Sequence, residues 1–208
     1  MRHAACGLYA FCREADDMVD EGEDPTKALE ILHYRLDRIY EVKPQYKATD
    51  RVLTQIVHTY HMPRALLNAL LEGFAWDADG KIYHSIGDVY DYSARVAGAV
   101  GIMMSVLMGV RDAKTLARAA DLGTAMQLTN IARDVGEDAR LGRIYLPLDE
   151  LRSEGVDTTQ MLANPEYTDG VGRVVKRLLE RADWLYQRSD HGIAQLPRKY
   201  QPGIRAAR

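Results

Sequence analysis

Cysteine is scarce in this chain: 208 residues carry two, Cys6 and Cys12. Six positions along a helix turn two side chains well away from each other, so the pair is not placed to form a disulfide and a disulfide-stapled scaffold is excluded. The first residues do not read as a secretory signal, which makes a reducing, cytosolic setting the expectation. Long apolar runs are missing as well. The longest stretches from Val96 to Val110, fifteen residues between Arg95 and Arg111, short of the roughly 20 needed to span a bilayer; it reads as a buried core helix. Neither sign of charge dominates. A net charge of −3 is wrong for a general nucleic-acid binder, so no nucleic-acid partner is expected. There is no Gly-rich phosphate loop, no GxSxG and no CxxC, which removes the commonest nucleotide, serine-hydrolase and thiol-redox signatures. Internal repeats and low-complexity segments are absent too.

What remains is a globular composition, 47% hydrophobic, of a length that fits one domain with a real core. Strand signals are few and helical periodicity is nearly continuous, which predicts an all-α fold. Helices are expected over about 1–20, 26–40, 50–60, 64–76, 86–110 and 113–140. Gly142 to Pro147 is expected as a loop, 148–151 and 158–163 as short helical turns, and a last long helix between Pro165 and Pro197. A new helix is expected to begin at Pro202. Gly and Pro at the breaks set these boundaries.

Two copies of an aspartate pair stand out, Asp16/Asp20 and Asp134/Asp138, each spaced DxxxD on a predicted helix. Four residues is just over one turn, so each pair stacks two carboxylates on one face. Folding does not call for such repulsion twice, whereas Mg²⁺ does: it takes oxygen ligands in an octahedron shared among carboxylates, waters and substrate phosphates. Two facing acidic helices would cage Mg²⁺ and a diphosphate. On the first helix Tyr9, Arg13, Asp16 and Asp20 form one stripe, and on the sixth Gln127, Asn130, Asp134 and Asp138 form another. Arg13, Arg133 and Arg143 add planar donor forks suited to phosphate oxygens. Gly98 and Gly101, each costing about 1 kcal/mol in a helix interior, create space, either for close helix packing or for a cavity lined by Val96 and Val100. Glu30-x-x-His33 is half of a di-iron bundle signature; as a single copy it reads as a surface or core histidine.

These residues bear a family resemblance. Tyr9-Ala-Phe-Cys-Arg-Glu-Ala-Asp-Asp-Met-Val-Asp20 resembles the first signature of squalene and phytoene synthases. Gln127-Leu-Thr-Asn-Ile-Ala-Arg-Asp-Val-Gly-Glu-Asp-Ala-Arg140, followed by Gly142-Arg-Ile-Tyr-Leu-Pro147, resembles the second, and Tyr92 to Gly101 resembles the segment between. The wording of the second signature is most like that of bacterial phytoene synthases. The resemblance implies an isoprenoid synthase helical bundle with a central cavity. The implied reaction is Mg²⁺-dependent head-to-head condensation of two prenyl diphosphates, geranylgeranyl diphosphate in the phytoene case, with Mn²⁺ as a substitute metal. It implies metal ligation by Asp16, Asp20, Asn130, Asp134 and Asp138, and diphosphate contacts from Tyr9, Arg13, Gln127, Arg133 and Arg143. Tyr92 would sit near the carbocation, and Val96 and Val100 along the tail pocket. With no dinucleotide motif, NADPH is not expected. The family also carries an N-terminal serine-containing flap and a final helix with a tyrosine near the site, so residues 1–208 read as one domain cut at both ends. Alternatives are a farnesyl diphosphate-using presqualene diphosphate or dehydrosqualene synthase, a chain-elongating prenyl synthase, and a non-catalytic assembly factor on the same fold. A lipophilic product makes peripheral membrane association a further expectation.

Overall fold

Several helix starts are fixed by residues that satisfy the otherwise unpaired first N–H groups. In a computed structural model of the chain, which describes residues 1–20, 22–45 and 47–207, Asp24 accepts from the Lys27 N–H and Pro25 occupies the first helical position. Ser85 and Asp88 form a reciprocal capping box, and Asp112 accepts from the Lys114 and Thr115 N–H groups. The helices that follow are α1 (Arg2–Asp20), α2 (Pro25–Tyr40), α3 (Ala48–Thr59), α4 (Arg64–Ala78), α5 (Ile86–Ser93), α6 (Ala99–Leu107), α7 (Ala113–Arg140), α8 (Leu148–Ser153), α9 (Thr158–Ala163), α10 (Asp169–Ile193) and α11 (Gln201–Ala207). No strand occurs among the described residues, and the expected all-α architecture is what the chain adopts.

The helix expected over 86–110 differs in two ways. Residues Ala94–Gly98 form a π-helical turn between α5 and α6, in which the Ala99 N–H reaches five residues back to the Ala94 carbonyl. The helix also stops at Leu107 rather than Val110. Gly109 takes a left-handed φ of 92°, which a side chain would oppose, and the Val110 N–H closes back on the Ser105 carbonyl.

The apolar faces meet in two clusters. One joins α1 to α4 and α6 through Leu8, Phe11, Leu32, Leu36, Leu53, Leu71 and Met103. The other joins α5, α7 and α10 through Val89, Leu128, Ile131, Val174 and Leu178. Fully burying each such side chain contributes about 1.5–3 kcal/mol. Between the clusters α6 and the π turn lie directly on α7. A Cβ on Gly101 would collide with the Ala119 carbonyl, and one on Gly123 with that of Ala97. At these two positions the glycines permit backbone-to-backbone approach.

The back of α1 is held by a buried ion network. Arg35 of α2, 1% exposed, pairs with Asp50 of α3, 0% exposed, and with Glu14 of α1 at 2.9 Å. Its guanidinium lies 5.2 Å from the centre of the Phe11 ring. Lys47 and Thr49 donate to the Glu14 carboxylate at 2.6 and 2.7 Å. Nothing in the sequence pattern announces this network, because a lone arginine on a helix face reads as exposed.

Candidate active site

With Glu14 fixed behind, α1 presents its acidic stripe on the opposite side. Arg13 reaches Asp16 at 3.2 Å and Asp17 at 2.8 Å. On α7, Arg133 grips Asp134 through both carboxylate oxygens, each at 2.7 Å. The two stripes are tied together by Arg143, whose guanidinium reaches Asp20 at 3.3 Å. Its position comes from the end of α7: Gly142 takes a left-handed φ of 78°, and the Arg143 N–H bonds back to the Asp138 carbonyl at 2.8 Å. This αL cap folds the chain back over the helix end and brings Arg143 beside Asp16, Asp20, Asp77 and Asp138.

The electrostatics of the carboxylates follow from these partners. Burial, then the neighbouring Asp134 charge, pushes Asp138 up to about 6. Burial and the charge of Asp20 raise Asp16. The Arg133 hydrogen bonds hold Asp134 below the usual carboxylate range. Among the described residues no group of three or more His, Cys, Asp or Glu side chains is already gathered to hold a metal ion; the stripes are joined through Arg143 instead.

An apolar cavity of about 330 Å³ opens beside the second stripe. Val96, Val100, Gly101, Met104, Gln127 and Asn130 are among its lining residues. Gly101 therefore serves both readings of the glycines, touching α7 on one side and the cavity on the other. Gln127 and Asn130 occupy the cavity wall, as do Val96 and Val100. Tyr9 is 70% exposed on α1.

Tyr92 does not line this cavity. It is buried, and its hydroxyl donates to Asp77 at 2.7 Å, while Tyr145 donates to the other Asp77 oxygen at 2.7 Å. The Tyr92 and Tyr145 rings stack at 5.2 Å and Tyr83 packs against both. Burial raises Asp77 despite its two phenol donors, and burial with the adjoining Asp77 charge keeps Tyr92 protonated, well above the ordinary tyrosine range. Asp77 and Arg143 also line a second cavity of about 410 Å³ together with Trp76, Lys81 and Tyr145. Asp77 escaped the sequence reading, which ended α4 near Trp76 and put Asp77 in the following loop. One signal was available: a carboxylate in the last turn of a helix opposes the macrodipole and calls for compensating donors.

The chain matches the squalene/phytoene synthase family over residues 1–208. It is 54% identical to the phytoene synthase of Rhodobacter capsulatus, covering 100% of this chain and 62% of that protein. It is 41% identical to the 15-cis-phytoene synthase of a Paracoccus species, covering 96% and 67%. The chain thus spans about three fifths of the length of the Rhodobacter relative. Among solved structures, a dehydrosqualene synthase in complex with a ligand superimposes with a TM-score of 0.85 at 34% identity, covering 94% of this chain and 68% of that one. The squalene synthase HpnC of Alicyclobacillus acidocaldarius superimposes with a TM-score of 0.89 at 27% identity, covering 96% and 76%. Two acidic stripes joined through Arg143, an apolar cavity beside the second of them and a match along the whole chain have one common explanation: this chain belongs to the squalene/phytoene synthase family, with its isoprenoid synthase helical fold.

Proposed function

We propose that the protein is a phytoene synthase, a prenyltransferase that condenses two geranylgeranyl diphosphates head to head. The observation that carries this reading is the apolar cavity with Gln127 and Asn130 of the second acidic stripe on its wall, that stripe being joined to the first through Arg143 and Asp20. It is the arrangement an amphiphile with a diphosphate head and a long tail would need. The phytoene synthase names of relatives 41–54% identical support the product class.

The donor set fits Mg²⁺. It offers only oxygens, and the burial and mutual repulsion that together raise Asp16 and Asp138 are what a cation offsets. Asp16, Asp20, Asn130, Asp134 and Asp138 would hold it, with Mn²⁺ as a substitute. Bound there, the metal would supply charge neutralisation for the departing diphosphate. Arg13, Arg133 and Arg143 bind the same diphosphate and stabilise its developing charge as the allylic C–O bond breaks. Tyr9 and Gln127 complete the head-group contacts. Val96 and Val100 hold the tail and exclude water that would quench the cation. The cation adds to the double bond of the second substrate, and loss of a proton from the resulting cation closes the three-membered ring to give a cyclopropyl diphosphate. A second ionisation opens the ring, and proton loss gives the triene of phytoene. Tyr92 stays outside the tail cavity, and its part is to hold the Asp77 carboxylate, which faces Arg143, in place.

A farnesyl diphosphate-using dehydrosqualene synthase is the second reading, favoured by the 34% identity to a solved protein of that name. Among the described residues no helix is long and apolar enough to cross a membrane; a lipophilic product favours peripheral association. Incubation with Mg²⁺ and either the C20 or the C15 diphosphate, with products identified by mass, tests the assignment. Phytoene from the C20 substrate, reduced at least about 10³-fold by Asp134→Ala, is the expected result. Squalene-type products from the C15 substrate alone would move the assignment to the second reading, and a folded protein without product would overturn both.

A further inference from the structure

Three of the four carboxylates that would hold metal already hold an arginine: Asp16 with Arg13, Asp134 with Arg133 and Asp20 with Arg143. The same three arginines are the ones whose forks suit a diphosphate. An N–H that donates to a carboxylate is not available to a phosphate oxygen, so the site as it stands has part of its anion-binding capacity, and the placement of each guanidinium, engaged by its cation-binding groups.

We propose that Arg143 is an exchange cation that couples the two ligands. Without metal it neutralises Asp20 and its neighbours. When a divalent cation takes those carboxylates, the guanidinium is released to the diphosphate. The inference rests on the metal and diphosphate sites proposed above.

Arg143 is singled out by geometry. Arg13 and Arg133 pair with residues three and one positions away on their own helices, so their ion pairs do not report on the opposite stripe. Arg143 reaches across 123 residues of sequence to Asp20 while interacting with Asp16, Asp77 and Asp138 as well. Its backbone is pinned, with the N–H bonded to the Asp138 carbonyl at 2.8 Å. The side chain is 36% exposed and extends on a long stem from this fixed Cα. Its contact with Asp20, at 3.3 Å and 36% and 44% exposure, is of the weak, solvent-screened kind that a divalent ion can displace.

Linkage makes the consequence quantitative. If metal frees Arg143, metal raises diphosphate affinity and diphosphate raises metal affinity by the same factor. Removing the guanidinium removes the competitor and the reward together. Metal alone should then bind more tightly, diphosphate with metal more weakly, and the coupling factor should shrink.

The test measures Mn²⁺ binding by electron paramagnetic resonance and inorganic diphosphate binding by calorimetry, each alone and with the other, in the wild-type protein and in Arg143→Gln. Wild type is expected to bind Mn²⁺ about tenfold or more tightly when diphosphate is present. Arg143→Gln is expected to bind Mn²⁺ alone about three- to fivefold more tightly than wild type, with coupling reduced to about threefold or less. Arg143→Lys, which keeps the charge and loses the fork, should bind Mn²⁺ alone as weakly as wild type yet recover little diphosphate affinity. The inference is overturned if Arg143→Gln binds Mn²⁺ alone no more tightly than wild type, if it retains the full coupling, or if wild type shows none. Asp134→Ala separates the levels: if it leaves Mn²⁺ binding unchanged, the metal-site reading itself has failed.

Discussion

Glu14 and Asp16 stand two residues apart on α1 and lie in opposite electrostatic settings. Behind the helix, burial works against the Glu14 carboxylate, but hydrogen bonds from Lys47 and Thr49 and the charge of Arg35 bring it below its ordinary range. In front, burial and the charge of Asp20 outweigh Arg13, and Asp16 is raised. The back of the helix is electrostatically satisfied and fixes where α1 sits. The front holds acids short of compensation, as suits a surface awaiting a cation. A helix can thus be anchored by one face and kept reactive on the other, provided the neutralising arginine is buried on the anchoring side.

The largest effect should come from breaking the back. Arg35→Ala strands Asp50, which is 0% exposed and already has one oxygen without a partner. A loss of about 3–5 kcal/mol is expected in chemical denaturation, because an uncompensated buried charge remains. Arg35→Met combined with Asp50→Leu removes both charges and should recover most of that loss. If the single and double variants are equally unstable, the network is not electrostatic in origin.

A smaller effect is expected in front from Tyr92→Phe, which removes one of the two phenol donors to Asp77. The loss of stability should be about 1 kcal/mol. Activity should fall about tenfold with little change in KM, since the ring stays and only its orientation loosens. An unchanged kcat would remove Tyr92 from the chemistry.

The smallest effects should carry opposite signs. Glu14 has a folded pKa below its unfolded value, so it contributes stability above the unfolded value that is lost as pH falls through the folded one. Asp16 has a folded pKa above its unfolded value, so its contribution is present at low pH and is lost as pH rises through the folded value. At neutral pH without metal, Glu14→Gln should therefore lower the melting temperature and Asp16→Asn should raise it. Each change is expected to be about 0.5 kcal/mol or less, with Asp16 screened by solvent. Added Mg²⁺ should abolish the gain from Asp16→Asn. Shifts of the same sign would erase the contrast between the two faces.

Much of this was legible in the sequence. Pro25, Pro63 and Gly142 marked ends that the helices respect, and the two DxxxD stripes showed which faces carry the acids. What escaped were features that depend on the tertiary partner. Asp50 and Arg35 lie on different helices, and no local pattern pairs them. Asp77 needed Tyr92 and Tyr145, contributed by α5 and by the loop after α7, before its role was visible. The π turn escaped because its composition reads as continuous helix. Periodicity identifies a buried face, but not the single polar group that the face will accept.

The π turn acts on the phase of the helix. In an unbroken α-helix Tyr92, Val96 and Val100 would lie at i, i+4 and i+8, close to one line. With the extra residue of residues Ala94–Gly98, Tyr92 belongs to the tyrosine–aspartate cluster, Val96 touches both that cluster and the tail cavity, and Val100 lines the tail cavity. Which side chain faces which chamber is therefore decided by a count of residues as well as by their identities. Loss of one residue there would wind the segment back to a plain α-helix and rotate its two halves against each other by about 100°. Deletion of Ala94 or Arg95, neither of which lines the cavity, would re-aim its wall while every lining residue kept its identity.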